Sequence, residues 1–275
     1  MNRRQFLATG GAAGLASLAG LSGTGCAPGR SSGATSLRPA PGPAEVSGEL
    51  ASRYMHARMG WTISTPANGR RPRAIVYCLH AKGGNHRMAF DSIGVPQAAA
   101  SIGFDVAVAA VDGGPDSYWH QRADGTDALA MVLREFVPLV RDRVGELPQA
   151  LVGWSMGGYG ALLAAERAHR QFAAVSPASP ALWLTPGATA PGAFDSPADF
   201  YANDVFTGIG HLAKMTVAVW CGTADPFYLA ARHLVSLMRF RHQAHFGPGS
   251  HDPGYWRKVA VPQLRAIAGA PGIAG

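Results

Sequence analysis

The stretch Gly153-Trp154-Ser155-Met156-Gly157-Gly158-Tyr159-Gly160 constrains this chain more than any other. It follows the apolar run Ala150-Leu151-Val152, which reads as a buried strand, and precedes Ala161-Leu162-Leu163-Ala164-Ala165-Glu166-Arg167, which reads as a helix. A tight turn between such elements strains the backbone at Ser155. It also leaves no room for a Cβ at the flanking glycines, where a neighbouring strand or helix must pass. The serine hydroxyl is then held up at a sheet edge, above helical N–H groups that favour a developing negative charge. Strand, G-x-S-x-G and helix in this order form a nucleophile elbow. In an ordinary glycine-rich turn the same serine would carry no chemistry, so the rest of the chain must supply its partners.

Around the elbow, apolar runs alternate with helical patterns. Residues 54–66 suggest an early antiparallel strand or hairpin, and 74–79 a central buried strand that opens into the glycine-bearing loop 80–85. Residues 86–102 read as helix and 104–111 as strand, followed by an aromatic loop, 112–120. Asp124 or Thr126 could cap a helix with Leu129, Val132, Leu133, Phe136, Val137 and Val140 at helical spacing. Further strands are expected at 172–176, 216–221 and 243–246, with helices at 228–240 and from about Tyr255 onward. The proline-rich region 177–210 reads as a small loop-rich insert over the active edge. Such alternation predicts an α/β fold with a mainly parallel central sheet, helices on both faces, and ligands at the C-terminal strand ends.

The N-terminus reads differently. Asn2-Arg3-Arg4-Gln5-Phe6-Leu7 is a twin-arginine pattern, and the glycine-rich segment behind it is short for a membrane span. Residues 1–26 therefore read as a twin-arginine export signal. Thr24-Gly25-Cys26 resembles the end of a bacterial lipobox, although Gly23 stands where such motifs usually have Leu. Lipidation of Cys26 would attach the protein to the outer face of the cell membrane; without it the protein would be secreted, periplasmic or in the cell wall. Residues 27–48, rich in Pro, Gly, Ser and Ala, read as a flexible tether, and 49–275 as the folded domain.

The net charge of +7 could suggest nucleic acid. The basic residues are scattered, without a stripe interleaved with aromatics, so a solvated basic surface is expected and no nucleic-acid partner. All but Lys82, Lys214 and Lys258 of the 24 basic residues are arginines. Cys78 and Cys221 lie in or at the ends of apolar runs and read as core thiols, not as a disulfide or metal pair. No motif calls for a metal or a cofactor.

A serine hydroxyl needs a base within hydrogen-bond reach and a carboxylate to orient that base. Asp225 lies just past one strand and His251 in the turn after the last, giving the chain order Ser, acid, His of α/β-hydrolases. Glu166, Asp195, Asp199 and Asp204 compete as the acid, but none directly follows a strand. The oxyanion donors are expected to be the N–H of Met156 and an N–H of the 80–84 loop, for which Lys82 is favoured. Tyr118, Trp119, Trp256 and the insert from Trp183 to Phe206 are candidates to line an acyl or alcohol pocket, with core packing as the alternative.

The elbow S-M-G-G-Y-G, the strand end C-G-T-A-D and the segment S-H-D-P-G-Y-W together resemble an esterase family. That family includes S-formylglutathione hydrolases, feruloyl-esterase-like enzymes and secreted mycolyltransferases, and the resemblance spans residues 55–267. Tyr255 and Trp256 follow His251 at the spacing seen in mycolyltransferases, whose oxyanion loop places its donor at the position of Lys82. The resemblance implies an α/β-hydrolase fold, a serine esterase working through an acyl-enzyme, and a small-molecule or lipid ester as substrate. Two alternatives share the fold: acyl transfer to a sugar or lipid alcohol, and non-catalytic wall binding. Mycolyltransferases carry Glu where this chain has Asp225, and an acidic residue and an arginine that 80–82 lacks, so trehalose mycolyl transfer is not expected.

Overall fold

The computed structural model describes residues 44–274. The stretch expected to be an export signal, Cys26 and most of the expected tether lie outside the described residues. Eight strands form one sheet: β1 (Ala44–Ser52), β2 (Ala57–Thr65), β3 (Ala74–Leu79), β4 (Val106–Val111), β5 (Gln149–Trp154), β6 (Ala174–Ala178), β7 (Thr216–Gly222) and β8 (Gln243–Gly247). Their order is β1-β2-β4-β3-β5-β6-β7-β8. The β1–β2 and β2–β4 pairs are antiparallel and every other pair is parallel.

The central strands β3, β4 and β5 are buried along their whole length, which is why they read as unbroken apolar runs. One face of the sheet presents Val76, Cys78, Val108, Val152 and Trp154 to helices α1 (Val95–Ser101) and α7 (Pro253–Ala268). The opposite face presents Ile75, Tyr77, Leu79, Leu151 and Val217. Four helices cover it: α2 (Ala128–Met131), which passes through a π turn into α3 (Val137–Val144), then α4 (Met156–Arg167) and α6 (Tyr228–Leu237). The insert holds the short helix α5 (Pro197–Ala202). Cys78 and Cys221 are free, buried thiols. No helix among the described residues is long and apolar enough to cross a membrane.

Three local expectations change. The tether does not run to residue 48, because β1 begins at Ala44 and pairs with β2 along its length. As an edge strand it buries almost none of its residues, so it shows no apolar alternation; backbone pairing alone fixes it. The expected helix at 86–102 is divided: a π turn at Met88–Ser92 ends before Gly94, whose φ of 73° breaks the helix, and α1 starts beyond it with Pro96 in its first turn. Asp127, not Asp124 or Thr126, caps α2, accepting the Ala130 N–H at 2.8 Å.

Candidate active site

Ser155 occupies the one-residue turn between β5 and α4 with φ 55° and ψ −117°. Side-chain-bearing residues rarely adopt this conformation, and holding one there costs about 1–3 kcal/mol. Hydrogen bonds on both sides restrain it: the Ser155 N–H donates to Ala178 O (3.1 Å), and its carbonyl accepts from the N–H groups of Tyr159 (3.0 Å) and Ala181 (3.0 Å). A Cβ at Gly153 would overlap the carbonyl of Gly157, and one at Gly157 would overlap that of Leu79 in β3. The glycines therefore serve close approach of backbones, as their spacing predicts.

The turn meets two loops that leave the same sheet edge. His251, after β8, places Nε2 2.8 Å from Ser155 Oγ and Nδ1 2.9 Å from Asp225 Oδ2. Asp225, after β7, also accepts the Phe227 N–H on Oδ1 at 2.8 Å, and its side chain is completely buried. Burial alone would raise the Asp225 carboxyl pKa, but hydrogen bonds from His251 and the Phe227 N–H, with the Ser179 hydroxyl dipole nearby, pull it below the ordinary carboxylate value. The Ser179 hydroxyl lies outside hydrogen-bond geometry, so the two contacts near 2.9 Å carry most of that effect. A charged Asp225 keeps the proton on Nδ1 and leaves Nε2 to accept from Ser155. Phe227 and Trp256 meet the imidazole edge-on, at centroid distances of 5.1 and 5.3 Å.

The competing acids have other partners. Asp195 binds Arg122 at 2.7 Å, Asp199 accepts from Asn203 and from the Asp195 N–H, and Asp204 accepts the Phe206 N–H. Glu166 is buried on α4, where desolvation pushes its carboxyl pKa up to about 9.

Around Lys82 the loop amides are largely committed. Ala81 N–H points to Met88 Sδ (3.4 Å), Gly83 N–H donates to Pro115 O (2.6 Å) and Gly84 N–H to Ala81 O (2.9 Å). No acceptor among the described residues takes the Lys82 N–H. The N–H of Met156 opens α4, a position without an intrahelical acceptor.

Sequence reasoning missed the residue that holds this loop. His80 is buried, donates from Nδ1 to Ala81 O (2.8 Å) and accepts the Gly113 N–H on Nε2 (3.0 Å). Both bonds require the neutral ring, and burial lowers its pKa accordingly. Its place in the loop was visible, but no spacing reveals a partner 33 residues away.

All three aromatic candidates are buried, and they differ in what they touch. Trp119 is not a pocket wall: it is fully buried, donates to His80 O (3.3 Å), and its indole lies where a Cβ of Gly160 would be, 2.5 Å away. It is a core residue because α4 supplies a glycine-sized recess for it. Trp256 is buried behind His251. Tyr118 packs against Tyr159, Trp183 and Phe194, with Lys82 Nζ 6.0 Å from its ring centroid. The Trp183 ring touches Phe227, and Phe227 touches His251, so one aromatic chain joins Tyr118 to the imidazole. A groove of about 710 Å³ lined by Arg122, Arg134, Arg167 and Asp199 lies elsewhere and includes none of these three catalytic candidates.

Solved structures with a similar fold include a ferulic acid esterase (18% identity, 82% of this chain and 97% of that one, TM-score 0.71). Others are an S-formylglutathione hydrolase from Staphylococcus aureus (16%, 82% and 100%, TM-score 0.67) and MPT51 of Mycobacterium tuberculosis (17%, 83% and 99%, TM-score 0.64). At these identities the likeness is one of fold. No curated protein matches the chain. Residues 52–267 match the model of the family described as Putative esterase. That match takes in every strand from β2 to β8 together with Ser155, Asp225 and His251, and so the chain belongs to this esterase family, as an ester-cleaving hydrolase on the α/β-hydrolase fold.

Proposed function

We propose that the protein is an exported serine esterase that works through a Ser155-His251-Asp225 triad and an acyl-enzyme. The observation that carries this reading is the continuous relay from Ser155 Oγ through both ring nitrogens of His251 to a buried carboxylate, with separations of 2.8 and 2.9 Å. His251 Nε2 takes the Ser155 proton as Oγ attacks the ester carbonyl. The negative charge that develops on the carbonyl oxygen meets the N–H groups of Met156 and Lys82, each worth about 10²–10³ in rate. Collapse expels the alcohol, which takes the proton from His251 and leaves the acyl group on Ser155. Water, deprotonated by the same nitrogen, then releases the carboxylic acid and restores the serine. Asp225 stays ionised and holds the imidazole in the required tautomer.

Export rests on Arg3 and Arg4, and attachment to the outer membrane face on lipidation of Cys26. Replacing Arg3 and Arg4 by Lys should retain the precursor in the cytoplasm. Cys26→Ala should move the mature protein from the membrane fraction to the soluble exported fraction. Unchanged fractionation in either case defeats that half of the reading.

The catalytic half is tested with a fluorophosphonate label and a p-nitrophenyl acyl ester series. Labelling and turnover are expected in the wild type, with both lost in Ser155→Ala. A folded wild type that neither labels nor turns over any ester would sink the triad. Running the series with sugar acceptors separates hydrolysis from transfer, since a transferase would release acyl groups faster and make a new sugar ester.

A further inference from the structure

Tyr118 and Trp119 stand side by side at φ 49° and 58°. Bulky side chains avoid this left-handed region, and each residue held there costs about 1–3 kcal/mol. Burial of Trp119 between His80 and the recess at Gly160 explains one of the two. The other packs the buried Tyr118 ring between the first turn of α4 at Tyr159 and the insert at Trp183. Above that ring lies the ammonium of Lys82, 6.0 Å from its centroid. Among the described residues Lys82 makes no ion pair, and its side chain is exposed. Asp116, in the loop that carries Tyr118, lies in the field of Arg122. The loops themselves are joined by the bond from Gly83 N–H to Pro115 O (2.6 Å), so the lysine and its aromatic rest belong to one rigid mouth.

We infer that Lys82, seated on Tyr118, is a specificity-determining residue that selects esters carrying an anionic group, a carboxylate or a phosphate, within reach of the scissile carbonyl. The inference rests on the esterase reading. On that reading the amide of Lys82 would meet the developing oxyanion and its ammonium the body of the substrate, so one residue would serve rate through its backbone and choice through its side chain. An unpaired ammonium beside an aromatic face pays little desolvation in the free enzyme and gains a charge-assisted bond with the right substrate.

The test compares kcat/KM for pairs of esters that differ by one carboxylate group. Mono-4-nitrophenyl adipate against 4-nitrophenyl hexanoate puts the anion on the acyl arm, and 4-acetoxybenzoate against phenyl acetate puts it on the alcohol arm. The wild type should prefer the anionic member on at least one arm, and raising the salt should compress the preference. Lys82→Met should lower the anionic-to-neutral ratio about five-fold, as expected for losing an exposed charge pair worth up to about 1 kcal/mol, and Lys82→Glu should lower it further. Lys82→Arg should keep most of it. Lys214→Met, which removes a lysine just before β7, should leave the ratio alone. Equal ratios in wild type and Lys82→Met on both arms, a salt-independent ratio, or an equal drop in Lys214→Met would each overturn the inference. Turnover of the neutral esters reports separately on the esterase reading.

Discussion

Among the loops at the sheet's catalytic edge that hold side-chain-bearing residues at positive φ, those after β5 and β4 do so by opposite means. In the turn after β5, Ser155 is held at φ 55° by what stands next to it in the chain: Gly153 and Gly157 let β3, β5 and α4 approach so closely that no other backbone path remains. In the loop after β4, Tyr118 and Trp119 are held at 49° and 58° by what stands next to them in space. Trp119 fills the recess at Gly160 and bonds to His80, and His120 reaches Ala193 O in the insert at 3.1 Å. The first strain is local and announces itself as a motif; the second is tertiary and leaves no pattern. This difference explains why the serine could be read from the chain and why Trp119 could be taken for a pocket wall.

The contrast can be broken by substitution. The largest effect belongs to the local loop: Gly157→Val must drive a side chain into the Leu79 carbonyl, and displacing Ser155 by about 1 Å should cost 10²-fold or more in kcat/KM for a p-nitrophenyl ester. A near-normal rate in a folded Gly157→Val protein would show the turn to be more forgiving than its glycines imply. Trp119→Ala should act on stability, removing about 3–5 kcal/mol in denaturant unfolding. Fluorophosphonate labelling of Ser155 should survive below the transition, and loss of labelling in the still-folded protein would mean that the two loops are one unit.

His80 joins the loops and adds a pH signature. Its folded pKa lies below the ordinary value because burial disfavours the charged ring. Between the folded and unfolded pKa values the unfolded chain binds more protons, so stability should fall as pH drops from about 6.5 toward the folded pKa. His80→Gln should flatten that fall in pH-dependent thermal unfolding; an unchanged slope would assign it to another group.

Glu166, which lies in neither loop, should give the opposite pH dependence. Its carboxyl is raised from 4.5 to about 9 by desolvation. Between those values the folded state holds the proton more tightly, so stability declines as pH rises across that window. Glu166→Gln should therefore be more stable than wild type at pH 8, with the advantage shrinking toward pH 4.5. An advantage of equal size at both pH values would point to packing instead.

Much of the architecture was legible because buried parallel strands cannot avoid reading as apolar runs: β3, β5 and β7 lie where the sequence places them, and the mainly parallel sheet follows from their alternation with helices. The edge strand β1 was illegible for the converse reason, since a strand that buries no face writes no alternation. Of the site, the chain order of Ser155, Asp225 and His251 was readable because each sits directly after a strand, where loops of one sheet edge must converge. The tie between His80 and Gly113, the burial of Trp119 and the seat of Lys82 on Tyr118 were not, because each is a contact across the sheet edge between segments remote in the chain.

The sequence by itself determined the elbow, the helix that begins behind it and the kinds of residue that could complete a relay, since local backbone sterics and apolar periodicity act over a few residues. Only the tertiary structure decided which carboxylate reaches the histidine, which loop amide is left without an acceptor and what each buried aromatic ring packs against. Those outcomes depend on distances of about 3 Å between groups that folding alone brings together, and no rule of spacing along the chain encodes them.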